Sequence, residues 1–353
     1  MANRRRSTRS GRVTMTDVAK RAGVSQTTVS FVVNNRDAGL PEHTKRKVLQ
    51  ACAELKYSPN EAARRLASKT TRAIGLAIYD ISAAANYRQS TAMVIASVYR
   101  AAEARQQRLQ IYTTDERRED GADISTYFAV PIRSREVDGI VLLDAYVDDA
   151  CIIAAFEEGL PMVMLDRRCG RVPAVVPDYE YGFRRVAETL VEKEKHNRIC
   201  LATGKGNYYR DSRVRGAFLS AAIDVGIPTE AVATLEVDIE TETDRVTMSA
   251  LIDKMLAEGP RPTAMVCAYD VIALAATAAL RQKGIRVPDD VAVVGCSGVL
   301  ASGDPAYDLT TLDIRHEAMG QHAVDLVIRA VKGENVAGSC IVVQPELILR
   351  STL

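Results

Sequence analysis

The sequence predicts a small all-α head at the N-terminus and a larger α/β body of two lobes, each built on a parallel, Rossmann-like sheet. Three short helical patterns follow one another within residues 14–56. From residue 73 onward, short apolar runs alternate with helical patterns, which is typical of βαβ units. The 353 residues also exceed the usual domain size of roughly 100–200 residues. More than one domain is therefore expected.

The two parts of the chain differ in charge. Residues 1–72 carry 16 Lys and Arg against 5 Asp and Glu, whereas the remaining 281 residues carry 30 against 40. A basic segment of this size is expected of a polyanion binder, because each neutralised phosphate releases condensed counterions. Nucleic acid is the leading partner and an anionic membrane surface the second. An ordinary solvated charged face is the alternative.

Cysteine usage and hydropathy indicate the compartment. The seven cysteines are scattered and show neither zinc-ligand spacing nor a disulfide framework, so we expect a reducing cytoplasm and no metal. No run of about 18 apolar residues exists, and Arg4, Arg5 and Arg6 lead into polar residues. We therefore expect a cytoplasmic protein with neither an export signal nor a membrane partner.

The motifs of common enzymes are missing from the sequence. It contains no G-x-S-x-G nucleophile motif and no phosphate-binding G-x-x-x-x-G-K-[ST] loop, and Gly204-Lys205-Gly206 is only a fragment of a glycine loop. The four histidines are dispersed along the chain. Because α/β lobes host many chemistries, fold alone does not decide the point. We expect no catalysis and no cofactor.

The head begins after a basic arm at residues 1–12 and spans 13–59. Helices are predicted over 15–22, 26–34 and 42–55, with Pro41 favouring the start of the third. Apolar residues recur at helical spacing and predict a shared core: Val18, Ala19, Ala22, Val24, Val29, Val32, Val33, Val48, Ala51 and Leu55. The second helix then exposes Gln26, Thr27, Ser30, Phe31 and Asn34.

A short conditional helix is predicted within the linker, residues 60–72. Pro59 ends the preceding unit, and Asn60 is a good N-cap for a segment of two helical turns. So short a helix is marginal alone.

The body contains eight apolar runs that predict strands, and two more near residues 309–314 and 341–349. The eight are AIGLAIY, RLQIYT, DGIVLLD, PMVMLD, RICLAT, ATLEV, TAMVCA and VAVVG. One doubly wound sheet of five or six strands cannot hold them all, so two lobes are expected.

Several of these segments resemble the LacI/GalR family of transcriptional regulators, named for the lactose and galactose repressors. They are TMTDVAKRAGVSQTTVSFVVNN (14–35), KYSPN (56–60), LASKTTRAIGL (66–76), VDGI (137–140), PMVMLDR (161–167), VAVVG (291–295), LTTLDIR (309–315) and Gly320. The resemblance covers nearly the whole chain after residue 12. It implies a helix-turn-helix head and a periplasmic-binding-protein-like body.

The resemblance assigns DNA contacts in the head. In a helix-turn-helix the second helix lies in the major groove, and Gln26, Thr27 and Phe31 occupy the base-reading positions. Relatives often carry arginine at the position of Phe31. The implied phosphate contacts, for which ordinary helix capping is the alternative, are Thr14, Ser25, Thr28, Ser30, Asn34, Thr44, Tyr57 and Asn60.

The family also implies that residues 60–67 form a hinge helix that orders on DNA and enters the minor groove. Leu66 would wedge between the central base pairs, flanked by Ala63, Arg64 and Ala67. Without the family, a leucine on a short helix is more often a core residue.

The body resembles the periplasmic sugar-binding fold, in which three crossovers join two lobes around a ligand. We expect crossovers near Pro173, Gly303 and Lys332. The lobes would then comprise 73–172 with 304–331, and 173–303 with 332–353.

Asp166 and Asp270 follow predicted strands, where pocket residues are expected, and the resemblance implies the other candidate effector contacts. The set comprises Tyr87, Asp166, Arg213, Tyr269, Asp270 and Ser297. Arg213 matches the arginine that holds a sugar hydroxyl or carboxylate in relatives. Tyr269 and Ser297 replace common sugar ligands of the family, and Tyr269 is equally compatible with a buried structural tyrosine.

Taken together, these observations predict a homodimeric repressor of a catabolic operon. Its partners would be a pseudo-palindromic double-stranded DNA operator and a small-molecule effector, expected to be a sugar or sugar derivative. A purine-type corepressor is the alternative effector. A stand-alone solute-binding protein is the rival class, which the basic head disfavours.

Overall fold

The computed structural model describes residues 13–33, 39–57, 70–79, 88–114, 128–143, 149–194, 196–205, 209–238, 245–298 and 308–353. The chain divides into two compact units, residues 1–71 and 72–353. The predicted start of the body, residue 73, is one residue away.

Three helices form the head: α1 (Met15–Ala22), α2 (Gln26–Val33) and α3 (Glu42–Glu54). Thr14 and Asp17 form a capping box at the start of α1, and Gly23, at a φ of 69°, ends it in the left-handed conformation. The glycine therefore permits the sharp turn into α2.

The small core of the head matches its apolar pattern. Five of the predicted core residues are buried, namely Val18, Ala19, Val29, Val48 and Ala51, and the other five are partly buried against them. A core this small depends on each of its side chains.

The first sheet of the body has the strand order β11-β5-β4-β3-β1-β2, and all its strands run parallel. Its strands are β1 (Ala73–Tyr79), β2 (Arg108–Thr114), β3 (Gly139–Leu143), β4 (Met162–Leu165), β5 (Ala174–Pro177) and β11 (Cys340–Val343).

The second sheet has the order β12-β10-β9-β8-β6-β7, in which the edge strand β12 alone is antiparallel. Its strands are β6 (Ile199–Gly204), β7 (Val232–Val237), β8 (Ala264–Cys267), β9 (Ala292–Ser297), β10 (Thr310–Asp313) and β12 (Glu346–Ile348). The prediction of two parallel α/β lobes is confirmed.

The described helices of the body cover the two sheets. They are α4 (Arg88–Ala104), α5 (Val130–Arg133), α6 (Asp149–Glu157), α7 (Tyr179–Glu194), α8 (Tyr209–Asp224), α9 (Arg245–Glu258), α10 (Asp270–Gln282) and α11 (His316–Val331), with a 3₁₀ turn at Thr229–Ala231. Helix α11 packs on α4 and the first sheet, whereas α7 packs on α8 and the second.

The predicted crossovers are wrong in position, the first by about four residues and the other two by about ten. Pro173 and Lys332 precede β5 and β11, which both belong to the first sheet, and Gly303 precedes β10, which belongs to the second. The chain therefore changes sheets after Pro177, Asp313 and Val343. Strand β5 lies between Pro173 and Pro177 and has only four residues, so it left a weak apolar signal.

One close helix contact explains a glycine of the resemblance. A Cβ atom on Gly320 of α11 would lie 2.4 Å from Oγ of Ser97 on α4. The two helices can approach this closely because Gly320 has no side chain.

Candidate functional sites

The exposed face of α2 is the first candidate site. Gln26 and Thr27 are exposed, and Ser30 and Phe31 are partly buried. The amide nitrogen Nε2 of Gln26 donates a hydrogen bond to Oγ1 of Thr16 on α1, at 2.5 Å. Because Thr16 belongs to α1, this hydrogen bond between helices orients the side chain of Gln26 before any ligand binds.

Three hydroxyl residues of the head act as local caps or cap partners. The hydroxyl of Thr14 accepts from the backbone N–H of Asp17 at 3.4 Å. The hydroxyl of Ser25 accepts from the backbone N–H of Thr28 at 3.0 Å, and the two side-chain oxygens lie 2.8 Å apart. These residues therefore hold helix N-termini, where backbone N–H groups also favour a phosphate.

The remaining residues predicted to contact phosphates either interact within the head or lie outside the described residues. Thr44 is hydrogen-bonded to Nε2 of His43 at 3.2 Å, and Tyr57 packs on the small core. Asn34, Asn60, Ala63, Arg64, Leu66 and Ala67, together with Tyr87 of the body, lie outside the described residues.

The second candidate site lies where the two lobes of the body meet. Asp166 follows β4 of the first sheet at a φ of 61°, the left-handed conformation. The phenol of Tyr179, on α7 of the second lobe, donates to its two carboxylate oxygens at 3.0 and 3.3 Å. This carboxylate thus connects the lobes.

Arg210, on α8, is the buried cation of this site. Its side chain is 11% exposed, and Nη1 lies 3.9 Å from Oδ2 of Asp166. Its Nη2 donates to the carbonyl oxygens of Ala268 and Cys296, both at 3.3 Å, and to Oγ of Ser297 at 3.1 Å. The guanidinium carbon lies 4.6 Å from the ring centroid of Tyr269 and 6.0 Å from that of Tyr179.

Burial shifts the titration of this site. It raises the pKa of Asp166, although Arg210 and the Tyr179 hydrogen bond oppose the shift. Burial and then the charge of Arg210 lower the pKa of His316 to about 4. The imidazole of His316 is therefore neutral at pH 7.

Two of the predicted effector residues support Arg210 or its surroundings from within the core. Ser297 is 1% exposed and accepts from Arg210. Tyr269 is 4% exposed and donates its hydroxyl to Asp211 at 3.3 Å, while its ring lies against Arg210.

Asp270 is the predicted effector residue that the structure places elsewhere. It is 2% exposed and accepts from the hydroxyl of Thr311 at 2.5 Å. Its carboxylate is thus bonded inside the core of the second lobe, and the predicted effector contact stays a prediction.

A cavity of about 370 Å³ adjoins the site, a size suited to a small ligand. Its wall includes Asp166, Tyr179 and the partly exposed Arg213, whose guanidinium is paired with Glu180. The remaining lining residues are Arg168, Val176, Pro177, Asp178, Glu180, Tyr209 and Val342.

Sequence reasoning missed Arg210 and Tyr179. Arg210 lies three residues before Arg213, one helical turn earlier on the same helix. The sequence offered one signal for Arg210, namely a charged residue in the first turn of the helix that follows β6.

Two other ligand classes can be addressed from the described part of the chain. It contains no group of three or more His, Cys, Asp or Glu residues arranged to hold a metal ion. None of its helices combines the length and the apolar character needed to span a bilayer.

Two family models match the chain. Residues 14–60 match the model for bacterial regulatory proteins of the lacI family, and residues 187–353 match the periplasmic binding protein-like domain. The first match corresponds to the head, and the second covers most of the second lobe together with α11 and β11 of the first.

Curated relatives match over nearly their whole length. The transcriptional repressor PurR of Aliivibrio fischeri is 30% identical over 347 residues, covering 96% of this chain and 98% of the relative. The transcriptional regulator DegA of Bacillus subtilis is 28% identical, with 96% and 97% covered.

Solved structures share the whole architecture. A lac repressor dimer bound to operator and the anti-inducer ONPF matches with a TM-score of 0.81 and 26% identity, covering 97% of this chain and 99% of that one. The transcriptional regulator CelR in complex with cellobiose matches with a TM-score of 0.67 and 26% identity, covering 97% and 100%.

Proposed function

This chain belongs to the lacI family of bacterial regulatory proteins and is a ligand-responsive, DNA-binding transcriptional repressor, and from that premise we propose its mode of action. It acts in the cytoplasm as a homodimer that represses a catabolic operon. A carbohydrate or carbohydrate derivative, bound between the lobes, changes its affinity for a pseudo-palindromic operator. The observation that carries the proposal is the junction of the lobes, where Asp166 meets Tyr179 and Arg210 and lines a small cavity together with Tyr179.

The face of α2 supports base reading by the head. Gln26 and Thr27 are exposed, and Thr16 holds the amide of Gln26 in place. An amide can pair bidentately with adenine, and a threonine methyl can contact thymine. Phe31 offers an apolar contact, while the caps Thr14 and Ser25 set the register on phosphates.

The lobe junction supports the ligand response. A ligand that binds between the lobes changes the balance between closed and open forms only through contacts that differ between them. The bonds from Asp166 to Tyr179 and Arg210 cross this junction, so a ligand that adds to them or replaces them has such differential contacts. Residues 60–67 would carry the change to the operator by ordering in the minor groove.

A carbohydrate is the first candidate effector, and a purine is the second. The size and polar lining of the cavity suit a sugar, and the related CelR structure holds cellobiose. The several relatives named PurR favour a purine corepressor. An inducing sugar would weaken operator binding, whereas a purine corepressor would strengthen it. The free energy that couples effector binding to operator binding, about 1–3 kcal/mol, would then have opposite signs for the two effectors.

Selection of random duplex DNA by the purified chain tests the proposal. We expect a palindromic site of roughly 14–20 base pairs, and a change in its retention when one of a panel of sugars and purines is added. Enrichment of no sequence would contradict base reading by the head and favour a generic polyanion binder.

The hinge part of the proposal has its own test. Leu66→Ala is expected to weaken binding to the selected duplex and to leave weak binding to unrelated duplex nearly unchanged, as measured by fluorescence anisotropy. An unchanged affinity for the selected duplex would contradict the wedge.

A further inference from the structure

Arg210 is a buried charge of the lobe junction that has unused hydrogen-bonding capacity. The residue is 9% exposed, so its cation is largely withdrawn from water. Within the described part of the chain, its Nε has no hydrogen-bond partner, and its one ion pair, to Asp166, spans 3.9 Å. A buried cation is stable only when it is paired and hydrogen-bonded, so this contact leaves capacity for a closer anion.

The existing partners of Arg210 supply no anion closer than the carboxylate of Asp166. Nη2 binds two backbone carbonyls and a hydroxyl, all of which are neutral. Asp166 is itself engaged, since its two carboxylate oxygens share the single hydroxyl proton of Tyr179. His316 is neutral at pH 7, because burial and the nearby Arg210 lower its pKa to about 4.

The carboxylates on the wall of the cavity have other partners. Asp178 accepts from the backbone N–H of Tyr181 at 3.0 Å, and Glu180 pairs with Arg213. Within the second lobe, Asp211 accepts from the backbone N–H of Gly204 at 2.8 Å. Each of these carboxylates therefore has a donor, whereas the guanidinium of Arg210 keeps an N–H group without a described acceptor.

The helix that carries Arg210 adds to this preference. Helix α8 begins at Tyr209, so Arg210 lies in its first turn, where the helix dipole disfavours a cation and favours an anion. The helix follows β6, and its N-terminus lies at the carboxyl end of the parallel strands, the edge at which such sheets bind ligands. An oxyanion at this point interacts with both the guanidinium and the helix N-terminus.

From these contacts we infer that the effector carries an oxyanion, a carboxylate or a phosphate, and that Arg210 rather than Arg213 selects it. This inference rests on the proposed function, because it names the chemical class of the effector of the same junction. It favours a sugar acid or a sugar phosphate over a neutral sugar or a purine base. A guanidinium fork pairs with either oxyanion through two parallel hydrogen bonds.

Binding of matched compounds to the full-length protein tests the assignment. Three series serve as probes, each a neutral sugar with its acid and its phosphate: glucose, galactose and ribose. Hypoxanthine and guanine represent purines. Titration calorimetry and thermal unfolding should show binding of one acid or one phosphate, and at least about tenfold weaker binding of its neutral parent. Whether the acid or the phosphate binds shows which oxyanion the effector carries.

Substitutions then identify the selecting residue. Arg210→Gln should weaken binding of that compound on the order of a hundredfold, and Arg210→Lys should retain part of it. Arg184→Gln is the matched control, because Arg184 is an exposed arginine on α7 that pairs with Asp224. Circular dichroism shows whether each variant folds. If Arg210→Gln does not fold, the affinity of Arg210→Lys still tests the assignment.

Several outcomes overturn the assignment while the proposed function survives. In the first, a neutral sugar or a purine binds with equal affinity to the wild type and to Arg210→Gln. In the second, only Arg213→Gln loses the preference for the oxyanion. In the third, the protein binds none of the acids or phosphates. The proposed function fails separately, if random duplex selection with the same preparation enriches no sequence.

Discussion

The head and the lobe junction hold their functional side chains in opposite ways. On α2 the polar groups are exposed and bond within the head, as Gln26 does with Thr16 and Ser25 with Thr28. At the junction, Arg210 is buried, and it contacts the carboxylate of Asp166 and the hydroxyl of Ser297. Changes on the face of the head should therefore alter binding and spare folding, whereas changes in the body should alter folding as well.

The largest expected effect is in the packing of the body. Gly320→Ala should lower its free energy of unfolding by about 2–3 kcal/mol, because the new Cβ would lie 2.4 Å from Oγ of Ser97. Gly216→Ala is the matched control, since a Cβ there meets no atom within 4 Å and alanine favours a helix by about 1 kcal/mol. Urea unfolding should move in opposite directions for the two variants. Equal changes would contradict the tight contact between α4 and α11.

The next effect is a pH dependence centred on His316. Its folded-state pKa of about 4 lies below the ordinary 6.5, so the stability it contributes is present above pH 6.5 and is lost as pH falls toward 4. Between pH 7 and pH 5 the loss should be about 2 kcal/mol.

Urea unfolding of the body at the two pH values measures this loss. His316→Gln should remove most of it, while His322→Gln, an exposed position on the same helix, should keep it. A pH dependence unchanged in His316→Gln would show that other groups cause it.

An effect of comparable size, on binding rather than on stability, is expected at the exposed face of the head. Gln26→Ala should lose about 1–3 kcal/mol of discrimination at one base pair and leave head stability nearly unchanged. Thr16→Val should lose part of the same discrimination, because it removes the acceptor that orients the glutamine. Anisotropy with single-substituted duplexes measures both.

Gln50→Ala provides the control for the head, since its amide instead bonds to Glu54 on α3. Loss of affinity that is uniform across all duplexes would assign Gln26 to the backbone rather than to a base.

The smallest effect concerns the cap of α1. Thr14→Ala should destabilise the head by about 1 kcal/mol, because the capping box with Asp17 is lost. Thr14→Ser, which keeps the hydroxyl, should retain most of the stability. Thermal unfolding of the head measures the difference, and equal loss in both variants would contradict the capping role.

Local signals made the head and most strands predictable. The helices of the head follow from apolar spacing and caps such as Thr14, and the eight apolar runs correspond to β1–β4 and β6–β9. Strand β5 was missed because it has only four residues, the last of them Pro177, and the crossover was therefore predicted too early, at Pro173.

The junction could be predicted only in part. Asp166 was predicted because it follows a strand, and Tyr269 and Ser297 were predicted from the family resemblance. Arg210 is recognised only by its burial and by its contacts with Asp166, Ala268 and Cys296. Such long-range contacts leave no periodic signal in the sequence. Family resemblance pointed to Arg213 instead, which the structure pairs with Glu180.

The central claim is that a ligand at the lobe junction and DNA at the head are coupled in one chain. Linkage requires that the ligand change operator affinity by the same factor as the operator changes ligand affinity. The most direct measurement is titration of the selected compound into the protein with and without the selected duplex, beside the reverse titration. We predict two equal factors of about 5–150-fold. Factors of one in both titrations, with both molecules bound, would contradict the account.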